Sequence, residues 1–320
     1  MIKAAILDVD GVIVGTKENI NAPYPHPDVM KKLKEVQDSG IPIVLCTGKA
    51  QFSINPVVKE ANLDNLHIVN GGAVILDPIN DIVEEKHLLD KDLLKRLIKL
   101  SEDDDQYLEL YTLDSWYVRK GQNDKYRDQH AAILDQEAKE VDSLQELVDE
   151  DVVKAILVVH NSEEEERYKG VFEEISEEMD IGSTTWTCAP IMLPARFLIF
   201  TAKGVSKSTS SKKVAESLDI SMDEMLGVGD NASDWKFMQH CGYVAAMGNG
   251  KDGLQEIVKQ KEDHFIAPDV DDNGILEVFE HFEDFFAQEE DCIGRFGNMR
   301  KRLPKSSSEQ IMNAVERGRK

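Results

Sequence analysis

The chain has 320 residues, 41% of them hydrophobic, with ten prolines and twenty glycines spread along it, which is more than one compact core takes and points to two domains. Its net charge of -24 sets a long-range repulsion against nucleic acid phosphates and anionic membranes, and no apolar run approaches the roughly 18 to 20 residues of a membrane span. The expectation is a soluble cytoplasmic protein, monomer or homodimer, with neither nucleic acid nor membrane as a partner, whose anionic ligands must be met by local positive charge.

In chain order, "IKAAIL" (2 to 7) reads as a buried strand that delivers Asp8, Asp10 and Gly11 at its end. The following stretch "PDVMKKLKEVQDSG" (27 to 40) predicts a helix, with Pro27 in its opening turn, Val29, Leu33 and Val36 on one face, and Gly40 at its end. "IPIVLC" (41 to 46) predicts a second strand running into Thr47 and Gly48, and "LHIVNGG" (66 to 72) a further one. Short apolar strands alternating with amphipathic helices indicate a parallel sheet with crossover helices.

From about residue 86 the texture changes. "LELYTLDSWYVRKG" (108 to 121) reads as two short strands turning near Asp114 and Ser115. A long polar helical pattern to about 150, the apolar run "VVKAILVV" (152 to 159), a helix over roughly 163 to 179 and strand-like segments broken by Pro190 and Pro194 complete an α+β block. The alternation then resumes with a helix in "SKSTSSKKVAESLDI", a strand in "EMLGVGD" and the start of a helix in "SDWKFMQHCG". One domain inserted into another explains this order. The division predicted is a core over 1–85 and 197–286, an insert over 86–196 and a basic tail or helix over 287–320, with Ser306 and Glu309 at capping-box spacing.

Cys46, Cys188, Cys241 and Cys292 show no C-x-x-C spacing, and the eight histidines form no H-E-x-x-H pair. Any metal is therefore expected on oxygen ligands. Asp8 and Asp10 stand at the carboxyl end of a parallel strand, where open α/β sheets place their ligands, and two carboxylates in one crevice repel unless a cation or a proton is shared. Both remedies suit phosphoryl transfer, in which an ionised Asp8 attacks phosphorus while Asp10 protonates the leaving oxygen and later takes a proton from water. Gly11 lets the chain leave the strand without crowding a bound phosphate. Thr47 and Gly48 offer a hydroxyl and backbone N–H groups to phosphate oxygens, Lys207 opens a helix with a mobile ammonium, and Asp230 and Asp234 follow a third strand.

This ordered set, "DVDGV", "CTGK", Lys207 in "GVSK" and "GDNASD", resembles the haloacid dehalogenase (HAD) superfamily of aspartate-nucleophile phosphatases. The large insert between the second and third motifs, with "NGGAVI" and "DDNGILEVFEHF", resembles its Cof-type subgroup. The resemblance implies an α/β, Rossmann-like core carrying an inserted α+β cap. It implies Asp8 as nucleophile, Asp10 as general acid and base, and Thr47, Gly48 and Lys207 as phosphate ligands. It also implies a Mg2+ on the Asp8 carboxylate, the Asp10 backbone carbonyl and Asp230, with Asn231 and Asp234 in support. An octahedral ion of this kind keeps several waters.

Three positions depart from the pattern. Lys49 stands where the subgroup often has Arg and is a candidate substrate contact as a point charge, Ser233 stands where Asn is common, and Lys203 competes with Lys207. The expected function is hydrolysis of a small phosphorylated metabolite, a sugar phosphate by resemblance, through an aspartyl-phosphate. A phosphomutase of the same superfamily or a phosphate-ester sensor are the alternatives. "GVGDNA" fits G-x-G-x-x-A formally but puts an acid where a pyrophosphate would lie. Tyr107, Tyr111, Trp116, Tyr117 and Trp186 in the insert suit either a pocket or a core.

Overall fold

The computed structural model describes residues 1–122, 124–173, 179–184, 195–251 and 253–287. A five-stranded parallel sheet has the order β14-β13-β12-β1-β2, from β1 (Ala4–Leu7), β2 (Ile43–Leu45), β12 (Met225–Gly229), β13 (Tyr243–Ala246) and β14 (Asp263–Ile266). Its three central strands, β13, β12 and β1, are fully buried, as expected of strands covered on both faces. The order brings the ends of β12, β1 and β2 side by side although β1 ends at Leu7 and β12 begins only at Met225.

The helix α1 (Pro27–Asp38) starts at the predicted proline, with the His26 ring accepting the Asp28 N–H, and buries Val29, Met30, Leu33 and Val36. α2 (Gln51–Glu60) follows β2. β3 (His67–Val69) does not join the parallel sheet as a full strand. Asn70, Gly71 and Gly72 all take positive φ (51°, 71° and 109°) and fold the chain back, so β3 pairs antiparallel with β4 (Val74–Asp77), and β4 with β5 (Ile82–Lys86). A single parallel bridge, Cys46 to Ile68, ties this small sheet to the end of β2.

The middle block builds a six-stranded sheet in the order β10-β11-β9-β6-β7-β8, from β6 (Leu108–Tyr111), β7 (Trp116–Arg119), β8 (Lys139–Val141), β9 (Lys154–Val159), β10 (Met179–Thr184) and β11 (Arg196–Ala202). α3 (Lys91–Asp103), α4 (Asp124–Leu134) and α5 (Ser162–Glu173) accompany it. The long helix expected up to about 150 stops at Leu134, because Asp135 adopts φ 51°, and 139–141 then pairs parallel with β7. The helix expected to 179 gives way to β10 at Met179. The sheet also runs past the expected boundary at 196, since β11 pairs with β9 and β10 as far as Ala202. Trp186, Cys188, Pro190, Pro194 and the tail over 288–320, with Cys292, Ser306 and Glu309, lie outside the described residues.

α6 (Lys207–Ser217), α7 (Trp235–Met238), α8 (Leu254–Val258) and α9 (Ile275–His281) complete the parallel sheet's helices. One apolar cluster includes Leu7, Leu45 and Ile54 together with Tyr111, Trp116 and Ile156, so packing is continuous from the parallel sheet into the six-stranded one. Tyr107, Tyr111 and Trp116 are accordingly core residues, and the Trp116 indole N–H is taken by the Gln136 carbonyl at 3.0 Å. Polar contacts cross the same seam: Gln51 Nε2 donates to Asp114 Oδ1 at 2.8 Å, and Ser53 Oγ to the Leu134 carbonyl at 3.0 Å.

Candidate active site

Three neighbouring strand ends supply the site. Asp8 follows β1, Thr47 lies two residues beyond β2 and Asp230 follows β12, while Lys207 enters from the first turn of α6, whose N-cap Ser206 forms a capping box with Thr209. Carboxylate oxygens of Asp8, Asp230 and Asp234 all lie within 4.8 Å of one another. Lys207 Nζ bridges two of them, 3.0 Å from Asp8 Oδ1 and 2.8 Å from Asp234 Oδ1.

Backbone groups fix the acids. The Val9 N–H donates to Asp8 Oδ1 at 2.8 Å, and Asp234 Oδ2 accepts the N–H groups of Asn231 at 3.1 Å and Asp230 at 3.3 Å. Asn231 Oδ1 takes the Ser233 N–H at 2.9 Å and closes the loop as an Asx turn. Ser233, where Asn is common, is exposed. Gly11 has φ 78°, and a Cβ there would stand 2.2 Å from Asp230 Oδ2. Glycine is thus required by the neighbouring acid, a tighter demand than the clearance for phosphate expected from sequence.

The electrostatics follow from burial and crowding. Burial raises the Asp8 carboxyl well above the ordinary carboxylate range, with Asp234, Asp230 and Asp10 adding to the rise and Lys207 opposing it. Asp230 is pushed up to about 7, by burial and then by Asp234. Lys207 is desolvated, but Asp234 and Asp8 more than compensate and hold its ammonium well above the usual value. Lys207 bridges only two of the three clustered acids, and a hard divalent cation fits the surplus of oxygen donors.

Asp10 lies apart from that trio and its half-exposed carboxylate meets Lys49 Nζ at 2.8 Å. Thr47 Oγ1 accepts the Lys49 N–H at 3.1 Å and shapes the loop in which Gly48 is exposed. Lys203 turns away to Asp180 at 3.0 Å, which leaves Lys207 as the lysine of the site. Asp234, expected as a support, is fully buried and central to the cluster.

Two residues were not anticipated. Asn249 Nδ2 donates to the Gly11 carbonyl at 2.9 Å and its Oδ1 accepts the Val270 N–H at 2.9 Å, tying the turn after β1 to the loop before α9. Its place just beyond the end of β13 was the available signal. Lys154, the first residue of β9, donates to the Gly48 carbonyl at 3.0 Å from the other sheet. A lysine in an otherwise apolar strand was its signal.

Residues 5–279 match the family model described as haloacid dehalogenase-like hydrolase. The chain is 21% identical over 301 residues to the phosphatase YwpJ of Bacillus subtilis, covering 87% of this chain and 99% of that one. It is 21% identical over 281 residues to the 5-amino-6-(5-phospho-D-ribitylamino)uracil phosphatase YcsE of the same organism, covering 88% and 96%. Among solved structures, the HAD subclass IIB sugar phosphatase BT4131 superposes with a TM-score of 0.70 at 20% identity, over 88% of this chain and 99% of that one.

Proposed function

The chain belongs to the haloacid dehalogenase-like hydrolase family, and on that premise we propose that it is a Mg2+-dependent phosphatase that hydrolyses a small polyhydroxylated phosphate monoester, a sugar phosphate or close analogue, through an aspartyl-phosphate on Asp8. The observation that carries the reading is the cluster of Asp8, Asp230 and Asp234 around Lys207 at three adjoining strand ends. The two relatives with named substrates act on a sugar phosphate and on a phosphoribityl compound, and both leaving groups are rich in hydroxyls. The division into a core and an inserted cap belongs to the same proposal, with the end of the cap moved to Ala202.

In the mechanism, Asp8 attacks phosphorus and the ester oxygen departs with a proton from Asp10. Asp10 then draws a proton from water as that water attacks the acyl phosphate on Asp8, releasing inorganic phosphate and restoring the carboxylate. Thr47, the N–H groups of its loop and Lys207 hold the phosphoryl oxygens and oppose their growing charge. Asp8, the Asp10 carbonyl and Asp230, supported by Asp234, would hold a Mg2+, which would supply charge neutralisation there. Asp8 must be ionised to attack, and its burial among acids works against ionisation until a cation joins the cluster. Purified protein is expected to release phosphate from p-nitrophenyl phosphate with Mg2+ and to stop on chelation. A folded protein that turns over no phosphate ester, or turns one over equally well after chelation, would refute the reading.

The raised Asp230 also predicts a pH signature. Its carboxyl loses the proton near pH 4 when unfolded and near 7 when folded, so between these values the metal-free folded state holds the extra proton and this group's contribution to stability falls as pH rises. Buried His67, pulled down to about 4, acts in the opposite direction over the same window, so total stability hides the effect. The gain in melting midpoint given by Mg2+ isolates it. That gain is expected to grow from pH 5.5 to 7.5 as protons stop competing for the same oxygens, and calorimetry with and without the ion checks it; a gain independent of pH would place the ion elsewhere.

A further inference from the structure

Lys154 is the only charged residue in the apolar run 152–159, and its ammonium leaves its own sheet. Nζ meets the Gly48 carbonyl at 3.0 Å and lies 4.0 Å from the centre of the Tyr111 ring, with the residue 4% exposed. Among the described residues Gly48 is its sole hydrogen-bond acceptor, and no carboxylate stands within ion-pair distance. An ammonium has three donors, and burying one without an ion pair is costly. Burial pulls this one down to about 7, and only Glu109, itself held by Tyr111 at 2.8 Å and His130 at 2.7 Å, restores part of its charge.

What the lysine faces gives that cost a purpose. Gly48 is exposed, and a Cβ built on it would meet nothing within 4 Å, so there is open space beside the loop. The next residue, Lys49, reaches Asp10. The Gly48–Lys49 loop thus connects Lys154, on the Gly48 carbonyl, to the proposed proton donor Asp10, on the Lys49 ammonium.

We propose that Lys154 is a specificity-determining contact from the six-stranded sheet to the leaving group, its remaining N–H donors taking a hydroxyl oxygen of a polyhydroxylated ester lodged beside Gly48. This rests on the phosphatase reading above. A hydroxyl suits the site better than a second anion. Lys49 is already matched by Asp10 and Lys207 by Asp8 and Asp234, and burial leaves Lys154 only part of its charge.

The test compares Lys154→Met and Lys154→Gln with the unaltered protein, using a panel of sugar and alditol phosphates and p-nitrophenyl phosphate, whose leaving group has no hydroxyl beyond the ester oxygen. Thermal midpoints confirm folding of each variant. In Lys154→Met, KM for the best hydroxylated ester is expected to rise about 10- to 100-fold with kcat little changed, the loss of one hydrogen bond from a charged donor. The ratio of kcat/KM between that ester and p-nitrophenyl phosphate falls by the same factor, and Lys154→Gln, which keeps a donor, retains part of it. A ratio unchanged in both variants, whatever happens to the absolute rates, makes Lys154 a latch between the sheets and overturns the proposal. So does an unaltered protein that turns over p-nitrophenyl phosphate and prefers no hydroxylated ester. If the unaltered protein turns over no ester at all, the phosphatase reading falls and this role with it.

Discussion

Asp8→Asn is expected to yield a folded protein that releases phosphate at least ~10^4-fold more slowly and yet melts higher than the unaltered chain in the absence of metal. The first half follows from the proposed chemistry: removing the nucleophile of a covalent mechanism costs on the order of 10^4 to 10^6 in kcat, because the remaining groups still bind and polarise but nothing attacks. The second half follows from geometry. Asp8 is buried among Asp234, Asp230 and Asp10, and these together with desolvation outweigh the attraction of Lys207. A neutral isostere keeps a hydrogen-bonding oxygen for the Val9 N–H and removes the repulsion, a gain of about 1 kcal/mol or more, or roughly 2 °C or more in a chain of this size. Phosphate release at saturating Mg2+ and calorimetry in chelator at pH 7.5 measure both. Undiminished turnover would mean that another group attacks phosphorus, and a lower midpoint would mean that Lys207 dominates the energetics of Asp8.

Lys207→Met is expected to do the reverse to stability. It leaves Asp8 and the fully buried Asp234 without their shared counter-charge, the situation in which breaking a buried ion pair costs about 3 to 5 kcal/mol. It also removes a cation from the transferring phosphoryl group, for which a loss of about 10^2 to 10^3 in kcat is expected. The two losses separate experimentally. Added Mg2+, or acidification that protonates the acids, is expected to recover much of the melting midpoint, since either neutralises the cluster. Neither recovers kcat, because the ammonium's position against the phosphoryl oxygens is not replaced. Full recovery of kcat by Mg2+ alone would show that Lys207 acts only as a structural counter-ion.

The effects expected of these two variants differ in sign because one lysine bridges two of three clustered acids. Composition hints at it only through the excess of acids over bases. The number of acids that converge is a property of strand order: β12 lies next to β1, so Asp230 and Asp234 fall beside Asp8 across 222 and 226 positions of sequence.

Local sequence alone determined the strand ends. "IKAAIL", "IPIVLC" and "EMLGVGD" are apolar runs that stop at Asp8, Thr47 and Asp230, and parallel strands covered on both faces must carry their polar residues at their ends. It also placed Lys207 at a helix start, since Ser206 and Thr209 satisfy the first N–H groups locally. At two places where it misled, positive φ was the cause. Asn70 with the two glycines after it turns β3 out of the parallel sheet, and Asp135 stops α4 early to free an edge strand. An Asn or Asp admits that conformation without demanding it. Only the tertiary structure decided the pairing of Lys49 with Asp10, the retreat of Lys203 to Asp180, the demand of Asp230 on Gly11 and the reach of Lys154 to Gly48. The last depends on how closely two separately formed sheets approach and the others on which strands become neighbours within one sheet, and periodicity along a chain carries the face a residue takes but not the element that face will meet.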